Sequence, residues 1–233
     1  MSKIIVSYDG TANEADAIAL GRMFARAGGS VSVAYVRHTR EPDSDREAEI
    51  QTEAEQVVQR GAALLGGSEV ARHVLTDRST PEGLRNLAER EGADVIVFCS
   101  DSHTAKGHVA VGNSAERLLE GGRTAIAIAP AGLAKSGHDG TVQQIVAVGD
   151  GDAAQGARAT ADDLAEALGA TVWPVVDEHT DLLVIDSRPE ATAGTVSLSA
   201  SARHLVEIAT CSVLVVPRGV TLSFGEPAAT VPA

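Results

Sequence analysis

The sequence predicts an α/β protein made of two tandem doubly wound parallel sheets, the second of them abbreviated. Within residues 1–130, five short apolar segments alternate with helical patterns, which is typical of parallel strands buried on both faces. Residues 94–130 contain, in this order, a strand, a long loop, a helix and a second strand. Together these elements make one parallel crossover unit. Residues 143–217 then repeat the order of the first copy in shorter form, and such a repeat outweighs single-residue arguments about fold.

The first copy is predicted to have five strands and four helices. Apolar β-branched runs place strands over residues 3–7, 30–36, 69–75, 95–98 and 124–129. Helical spacing of apolar residues places helices over residues 13–27 and 47–65, from residue 80, and over residues 112–122. We expect Thr80 to cap the third helix, because Pro81 then takes its first position.

The second copy has fewer predicted elements. Strands are expected over residues 144–148, 171–176, 182–185 and 213–216, with helices over residues 153–168 and just before the last strand. The predicted organisation is therefore a first domain over residues 1–130, a linker over 131–142 and a truncated second domain over 143–217. Residues 218–233 have no periodicity and are expected to form a disordered tail.

Composition and charge exclude several classes of protein. The formal net charge is -13 and the pI is about 4.9, which argues against binding to nucleic acid or to anionic membrane surfaces. No segment has the form of a signal peptide or of a membrane span, so we expect a cytoplasmic protein. The two cysteines lie in or beside apolar strands and are expected to be reduced.

Three stretches resemble the universal stress protein family. VSYDGTANEADAI is similar to the opening of the family, and GNSAERLL followed by AIAIAP is similar to its last helix and strand. The resemblance implies an adenine nucleotide α-hydrolase-like fold. It also implies a non-enzymatic role in the stress response, through regulation or binding of an unknown protein partner. Two other hypotheses stay open: a stress sensor that binds ATP in the first copy, and a degenerate enzyme of the same superfamily.

The resemblance also implies where a nucleotide would bind. The family motif Gly-x2-Gly-x9-Gly-Ser/Thr, the Asp after the first strand and the backbone after the second strand hold ATP. The corresponding candidate residues, with a nearby hydroxyl from Ser114, are Asp9, Val36, Gly112, Asn113 and Ser114. A simpler interpretation is that Asp9 and Asn113 only cap their helices.

The phosphate-binding loop departs from the family motif. Cys99 and Ser102 stand at the first two glycine positions, where each adds a Cβ. Asp101 is expected to repel phosphate, and Lys106 is expected to offset that charge only if the loop folds it inward. We therefore predict no cofactor and no tight ATP binding. Cys99, Asp101, His103 and His108 are all possible metal ligands, but their spacing matches no known zinc pattern, so no metal is predicted.

The last strands of the two copies bear on assembly. Residues 125–128 and 213–216 are apolar strands that would lie at sheet edges and need cover. We expect them to pair antiparallel within one chain as an intramolecular pseudo-dimer, while a further homo-oligomer stays open.

Overall fold

Nine strands form a single sheet in the computed structural model, which describes residues 1–11, 13–38, 43–67, 69–136, 141–149 and 154–225. The strands are β1 (Lys3–Ser7), β2 (Ser30–Arg37), β3 (Ala71–Thr76), β4 (Val95–Cys99), β5 (Ala125–Ala129), β6 (Gln144–Val148), β7 (Thr171–Trp173), β8 (Leu182–Asp186) and β9 (Ser212–Val216). The helices are α1 (Glu14–Arg26), α2 (Ser44–Leu65), α3 (Thr80–Glu91), α4 (Asn113–Leu119), α5 (Ala154–Leu168) and α6 (Ala200–Ile208), with a 3-10 turn at Leu133–Lys135.

The sheet is parallel except at its centre. Its order is β3-β2-β1-β4-β5-β9-β8-β6-β7, and only β5 and β9 are antiparallel, with Ile126 opposite Val215 and Ile128 opposite Val213. The predicted antiparallel pairing of the last strands within one chain is confirmed. Each apolar strand thereby covers the edge that the other would otherwise leave open.

Two apolar layers enclose the sheet because neighbouring side chains of a strand point to opposite faces. Ile4 belongs to the layer that includes residues of α1, α2 and α5. Ile5 belongs to the opposite layer, which includes residues of α3, α4 and α6. Strands with both faces buried in this way produce the continuous apolar runs of the sequence.

The two halves of the sheet use the same hydrogen bonds at the starts of their strands. The carboxylate of Asp94, just before β4, accepts from the N–H of Lys3 at 2.8 Å. The carboxylate of Asp181, just before β8, accepts from the N–H of Gln144 at 3.0 Å. The return bonds also match, since Asp94 N–H donates to Lys3 and Asp181 N–H donates to Gln144. By these bonds, β6 and β8 of the second half correspond to β1 and β4 of the first half.

A serine after each of these strands repeats the match at the opposite edge. The Ser100 hydroxyl donates to the carbonyl of Ala129 at 2.7 Å, and the Ser187 hydroxyl donates to that of Val216 at 2.8 Å. β9 thus corresponds to β5, and β7, beside β6, corresponds to β2. In the described part of the second half no strand takes the place of β3. The division into two domains, with the predicted boundaries, stays a prediction because all nine strands share one sheet.

Several element ends differ from the predictions for local reasons. α2 begins at Ser44 instead of residue 47, since the Asp43 carboxylate caps it by accepting from two backbone N–H groups. Thr80 is the first residue of α3 and Ser79 is its cap position, so the prediction that Thr80 is the cap was wrong by one residue. β7 ends at Trp173 because Pro174 has no N–H for the ladder.

The predicted tail is ordered over its first part. Leu222 and Phe224 are buried, and the N–H groups of both donate to side chains of α5. The prediction of disorder was therefore wrong for residues 218–225, because apolar side chains there fill a gap between α1 and α5. Residues 226–233 of that tail lie outside the described residues.

The predicted linker is partly held in place. The buried Asp16 carboxylate of α1 accepts from the N–H groups of Gly132 and Ala134 at 2.7 and 2.8 Å. These bonds fix the 3-10 turn at the start of residues 131–142. Residues 137–140 of the linker lie outside the described residues.

A helix that crosses a bilayer must be both long and apolar. Over the residues that the structure describes, none of the helices is both long and apolar enough to cross a membrane.

Candidate functional site

A cleft of about 400 Å³ lies at the carboxyl ends of β1 and β4. The chain proceeds outward from these two neighbouring strands in opposite directions, so this is the switch point at which doubly wound sheets bind ligands. The residues that line it come from the loops after the two strands and from the start of α4: Asp9, Thr11, Asn13, Phe98, Cys99, Ser100, Asp101, Ser102, Gly112, Asn113, Ser114 and Ala115.

The structure brings four of the five candidate residues together. Asp9, Gly112, Asn113 and Ser114 all line the cleft. Val36 is not among the lining residues, and its side chain is buried in the layer that includes residues of α3. Neither polar candidate caps a helix through its side chain: Asp9 accepts from the N–H of Thr11 at 2.9 Å in the loop, and α4 has no side-chain cap bond.

The cleft is acidic. Asp9 and Asp101 line it, and within the described part of the chain its lining includes no Lys, Arg or His. Lys106 does not offset this charge. Its side chain packs at Gly132, where an added Cβ would lie 2.8 Å from the Lys106 Cγ, and it lines a different cavity, beside Pro130. A phosphate in the cleft would thus meet two carboxylates and, among the described lining residues, no cation.

Glu14 is a member of the site that the sequence argument missed. It lies in the first turn of α1, it is buried, and its carboxyl accepts from the N–H of Gly10 at 2.8 Å and also from that of Asp9. Thr11-Ala12-Asn13-Glu14 has the spacing of a capping box, which was the available signal. A capping-box glutamate would accept from the N–H of Thr11, whereas Glu14 accepts from those of Gly10 and Asp9. Two N–H groups of the turn after β1 are therefore already occupied.

The surroundings of Glu14 favour its neutral form. Burial, and secondly the nearby negative charge of Asp9, raise its pKa from 4.5 to about 8. Near neutral pH this carboxyl therefore keeps a proton. It can then donate that proton to a neighbouring oxygen while still accepting from the backbone.

We expect the substitution Glu14→Gln to stabilise the fold more at high pH than at low pH. A carboxyl whose pKa is raised on folding binds more protons in the folded state, so the wild-type free energy of unfolding falls as pH rises from about 4.5 to about 8. Glutamine has no such charge to bury. The measurement is urea denaturation near pH 5 and near pH 9. The difference in free energy of unfolding between the variant and wild type should increase from the lower to the higher pH by on the order of 2 kcal/mol.

Glu82→Gln is the matched control for this measurement. Glu82 also lies in the first turn of a helix, but it is exposed. Its substitution should shift stability about equally at both pH values. A Glu14→Gln variant whose gap to wild type stays constant with pH would show that Glu14 is ionised throughout.

Cys99 is unsuited to nucleophilic chemistry. Burial, and secondly the nearby carboxyl group of Glu14, raise the pKa of its thiol to about 12. The thiolate is the reactive form of cysteine, and it is scarce at neutral pH when the pKa is this high. Over the described residues, no three His, Cys, Asp or Glu side chains are arranged to hold a metal ion.

In the second half, Asp186 takes the place that Cys99 has in the first. It is buried at the end of β8, and its carboxylate accepts from the N–H of Ala157 in α5 at 3.0 Å and from that of Ser187 at 3.0 Å. Burial raises the pKa of this carboxyl, and these backbone bonds oppose the rise. The start of α5 is thus bonded to a side chain of the protein itself.

Comparison with known proteins gives one family, and it also gives solved structures of the same fold. A family model described as the universal stress protein family matches residues 1–130. A universal stress protein from Archaeoglobus fulgidus DSM 4304 is 14% identical with a TM-score of 0.68, over 93% of this chain and 98% of that one. A functionally unknown protein from Pseudomonas aeruginosa PAO1 is 13% identical with a TM-score of 0.58, over 94% and 93% of the two chains. No curated protein matches the sequence.

Proposed function

Since the chain belongs to the universal stress protein family, which supports a role in the stress response, we propose that it is a non-enzymatic regulator that binds a protein partner and does not bind ATP tightly. The observation that carries this proposal is the acidic cleft at the switch point. Asp9 and Asp101 line it, and no cation is among the lining residues that the structure describes.

Electrostatic repulsion argues against a bound triphosphate. At an effective dielectric constant of about 20, two like charges about 4 Å apart repel by roughly 4 kcal/mol before screening. Asp101 is half exposed, so solvent and salt reduce this figure for its carboxylate. The remaining repulsion is still unfavourable, because Lys106 is turned towards Gly132 instead of the cleft.

The donors that would hold phosphate are also few. Phosphate loops depend on free backbone N–H groups and on close approach to glycine. Cys99 and Ser102 replace two glycines here, and Glu14 occupies the N–H groups of Asp9 and Gly10. A protonated Glu14 and a thiol with a pKa of about 12 are both poor nucleophiles. These features favour binding of partners over catalysis.

We expect ATP with Mg²⁺ to bind no more tightly than about millimolar, and we expect no ATPase activity. Calorimetric titration should compare wild type, Asp101→Ala and Glu178→Ala. Asp101→Ala removes one charge from the cleft and should strengthen any residual binding by about tenfold at most. Glu178→Ala removes one exposed charge from the second half and should leave binding unchanged.

An ATP-binding sensor is the second candidate, and Gly112 favours it. Gly112 has an ordinary φ of -72°, and an added Cβ there would meet no atom within 4 Å. The fold itself therefore does not require glycine at this position, whereas a ligand that approaches the backbone does. Micromolar binding of ATP by the wild-type protein would establish the sensor and overturn the main proposal.

A further inference from the structure

An exposed apolar surface lies at the outer edge of the second half. Its side chains are Trp173, Val175 and Val176, which are 46%, 62% and 41% exposed, followed by Asp177 and Glu178. Six large hydrophobic side chains are exposed over the described residues, and three of them lie within residues 173–176. We call residues 173–178 the β7 surface.

The same place in the first half is covered. There β2 pairs with β3 along six residues, and α3 lies over β2 on one face. Ala34 of β2 is 1% exposed in the same layer as Leu84 and Leu87 of α3. Because β7 corresponds to β2 and lacks the neighbours that β3 and α3 provide, its apolar side chains face solvent instead.

Trp173 is held in a fixed position on the sheet. It lies opposite Val146 in the register of β6 and β7, on the face that α3 covers in the first half. With the Gln144 amide turned to satisfy its neighbours, the amide oxygen accepts from the indole N–H at 3.2 Å. The amide nitrogen then donates to the Asp177 carboxylate at 3.3 Å. A large apolar ring and an acidic group are therefore presented side by side.

Strand addition at this edge is disfavoured. Thr171 N–H donates inward to Gln143, so the N–H and C=O of Val172 point outward. The next outward N–H would come from residue 174, which is a proline and has none. A partner would accordingly bind through side-chain packing, as α3 does with Leu84, Leu87 and Ala88 in the first half.

The negative charge of the β7 surface favours a different protein over a second copy of this chain as its partner. Asp177 and Glu178 flank the apolar side chains, and the whole chain has a formal charge of -13. Two copies placed face to face would bring these carboxylates together, which is unfavourable. A partner with Lys or Arg around an apolar stripe would complement both features.

We propose that the β7 surface binds an amphipathic helix of a partner protein, with apolar residues that pack on Trp173 and Val175 and basic residues that face Asp177 and Glu178. This inference rests on the proposed partner-binding function and names its surface. The helix would occupy the place that α3 has in the first half.

Fluorescence tests the proposal directly, because Trp173 is the single tryptophan of the chain. The probe is a short amphipathic helical peptide of Leu and Lys, titrated into the full-length protein, with a twin peptide that has Glu in place of every Lys. We expect the basic peptide to shift Trp173 emission to the blue in a saturable way, and the acidic twin to leave it unchanged. Val175→Ser should weaken the basic peptide by about fivefold to tenfold.

Ile208→Ser is the matched control, since Ile208 is an exposed aliphatic side chain on α6. It should bind the basic peptide as wild type does. Equal affinities of Val175→Ser and wild type, or no emission shift, would overturn the proposal. So would an equal shift with the acidic twin, or a blue shift that grows with protein concentration alone, which would assign the surface to a second copy. The ATP titration tests the proposed function separately, so the two can fail independently.

Discussion

Residues 141–233, expressed without the first half, are expected to show no cooperative unfolding transition. The outer edge of β9 is paired with β5, and Val213 and Val215 of β9 are fully buried in the complete sheet. Removing the first half exposes this apolar edge, which is a site of aggregation. A four-stranded remnant also buries too small a fraction of its surface to offset chain entropy.

Contacts outside the sheet strengthen this expectation. Phe224 stacks on Phe24 of α1 with ring centroids 5.7 Å apart, and the N–H of Ser2 donates to the carbonyl of Ser223 at 2.8 Å. The N–H of Val109 donates to Ala209 at 3.0 Å, and that of Val196 donates to Gly122 at 2.7 Å. The second half therefore loses packing partners on both faces of the sheet, as well as the neighbour of its last strand.

The measurement is near-ultraviolet circular dichroism and urea denaturation of the fragment beside the full-length chain. Residues 1–136 are the matched control, because this fragment keeps five strands and the helices on both of its faces. We expect it to retain a cooperative transition at a lower urea midpoint. A sharp transition in the fragment of residues 141–233 would show that the second half folds without the first.

The local sequence pattern predicted the strands well, because parallel strands buried on both faces have continuous apolar sequences. Residues 144–148 match β6, and residues 95–98 fall short of β4 by one residue. Element ends were less predictable. A capping side chain such as Asp43 moves a helix start, and a single Pro174 ends a strand that its apolar neighbours would continue.

The sequence predicted that Asp9 and Gly112 lie close together, but it did not predict the direction of Lys106 or the burial of Glu14. Chain order alone puts Asp9 and Gly112 at the same edge of a parallel sheet. Whether Lys106 turns inward depends on its packing at Gly132, which lies 26 residues further along the chain. The burial of Glu14 likewise depends on how α1 packs on the sheet. Such long-range contacts have no periodic signal in the sequence.

The order of residues 218–225 likewise depends on long-range contacts that a local sequence pattern does not predict. Leu222 and Phe224 lie in a stretch with no helical or alternating pattern, so composition suggested disorder. Their burial arises from a gap between α1 and α5 that exists only once both helices are on the sheet. Irregular segments can be ordered in this way by a few apolar anchors, which a periodicity argument does not detect.

We expect Phe224→Ala to lower the free energy of unfolding by about 3 kcal/mol, at the lower end of the range for buried phenylalanine because the residue is still 8% exposed. The Phe224 ring is buried against the ring of Phe24, at an interplanar angle of 14°. Its N–H also donates to the Asp163 carboxylate at 2.7 Å, and alanine keeps that bond. The loss therefore reports on the ring alone.

Urea denaturation of the full-length chain measures the effect, with Leu64→Ala as the control. Leu64 is a large apolar residue of α2 that is half exposed, so its truncation should change stability by less than about 0.5 kcal/mol. Phe224→Leu should fall between the two, because leucine fills part of the gap. A Phe224→Ala variant as stable as wild type would mean that the stacking of Phe224 on Phe24 contributes no stability.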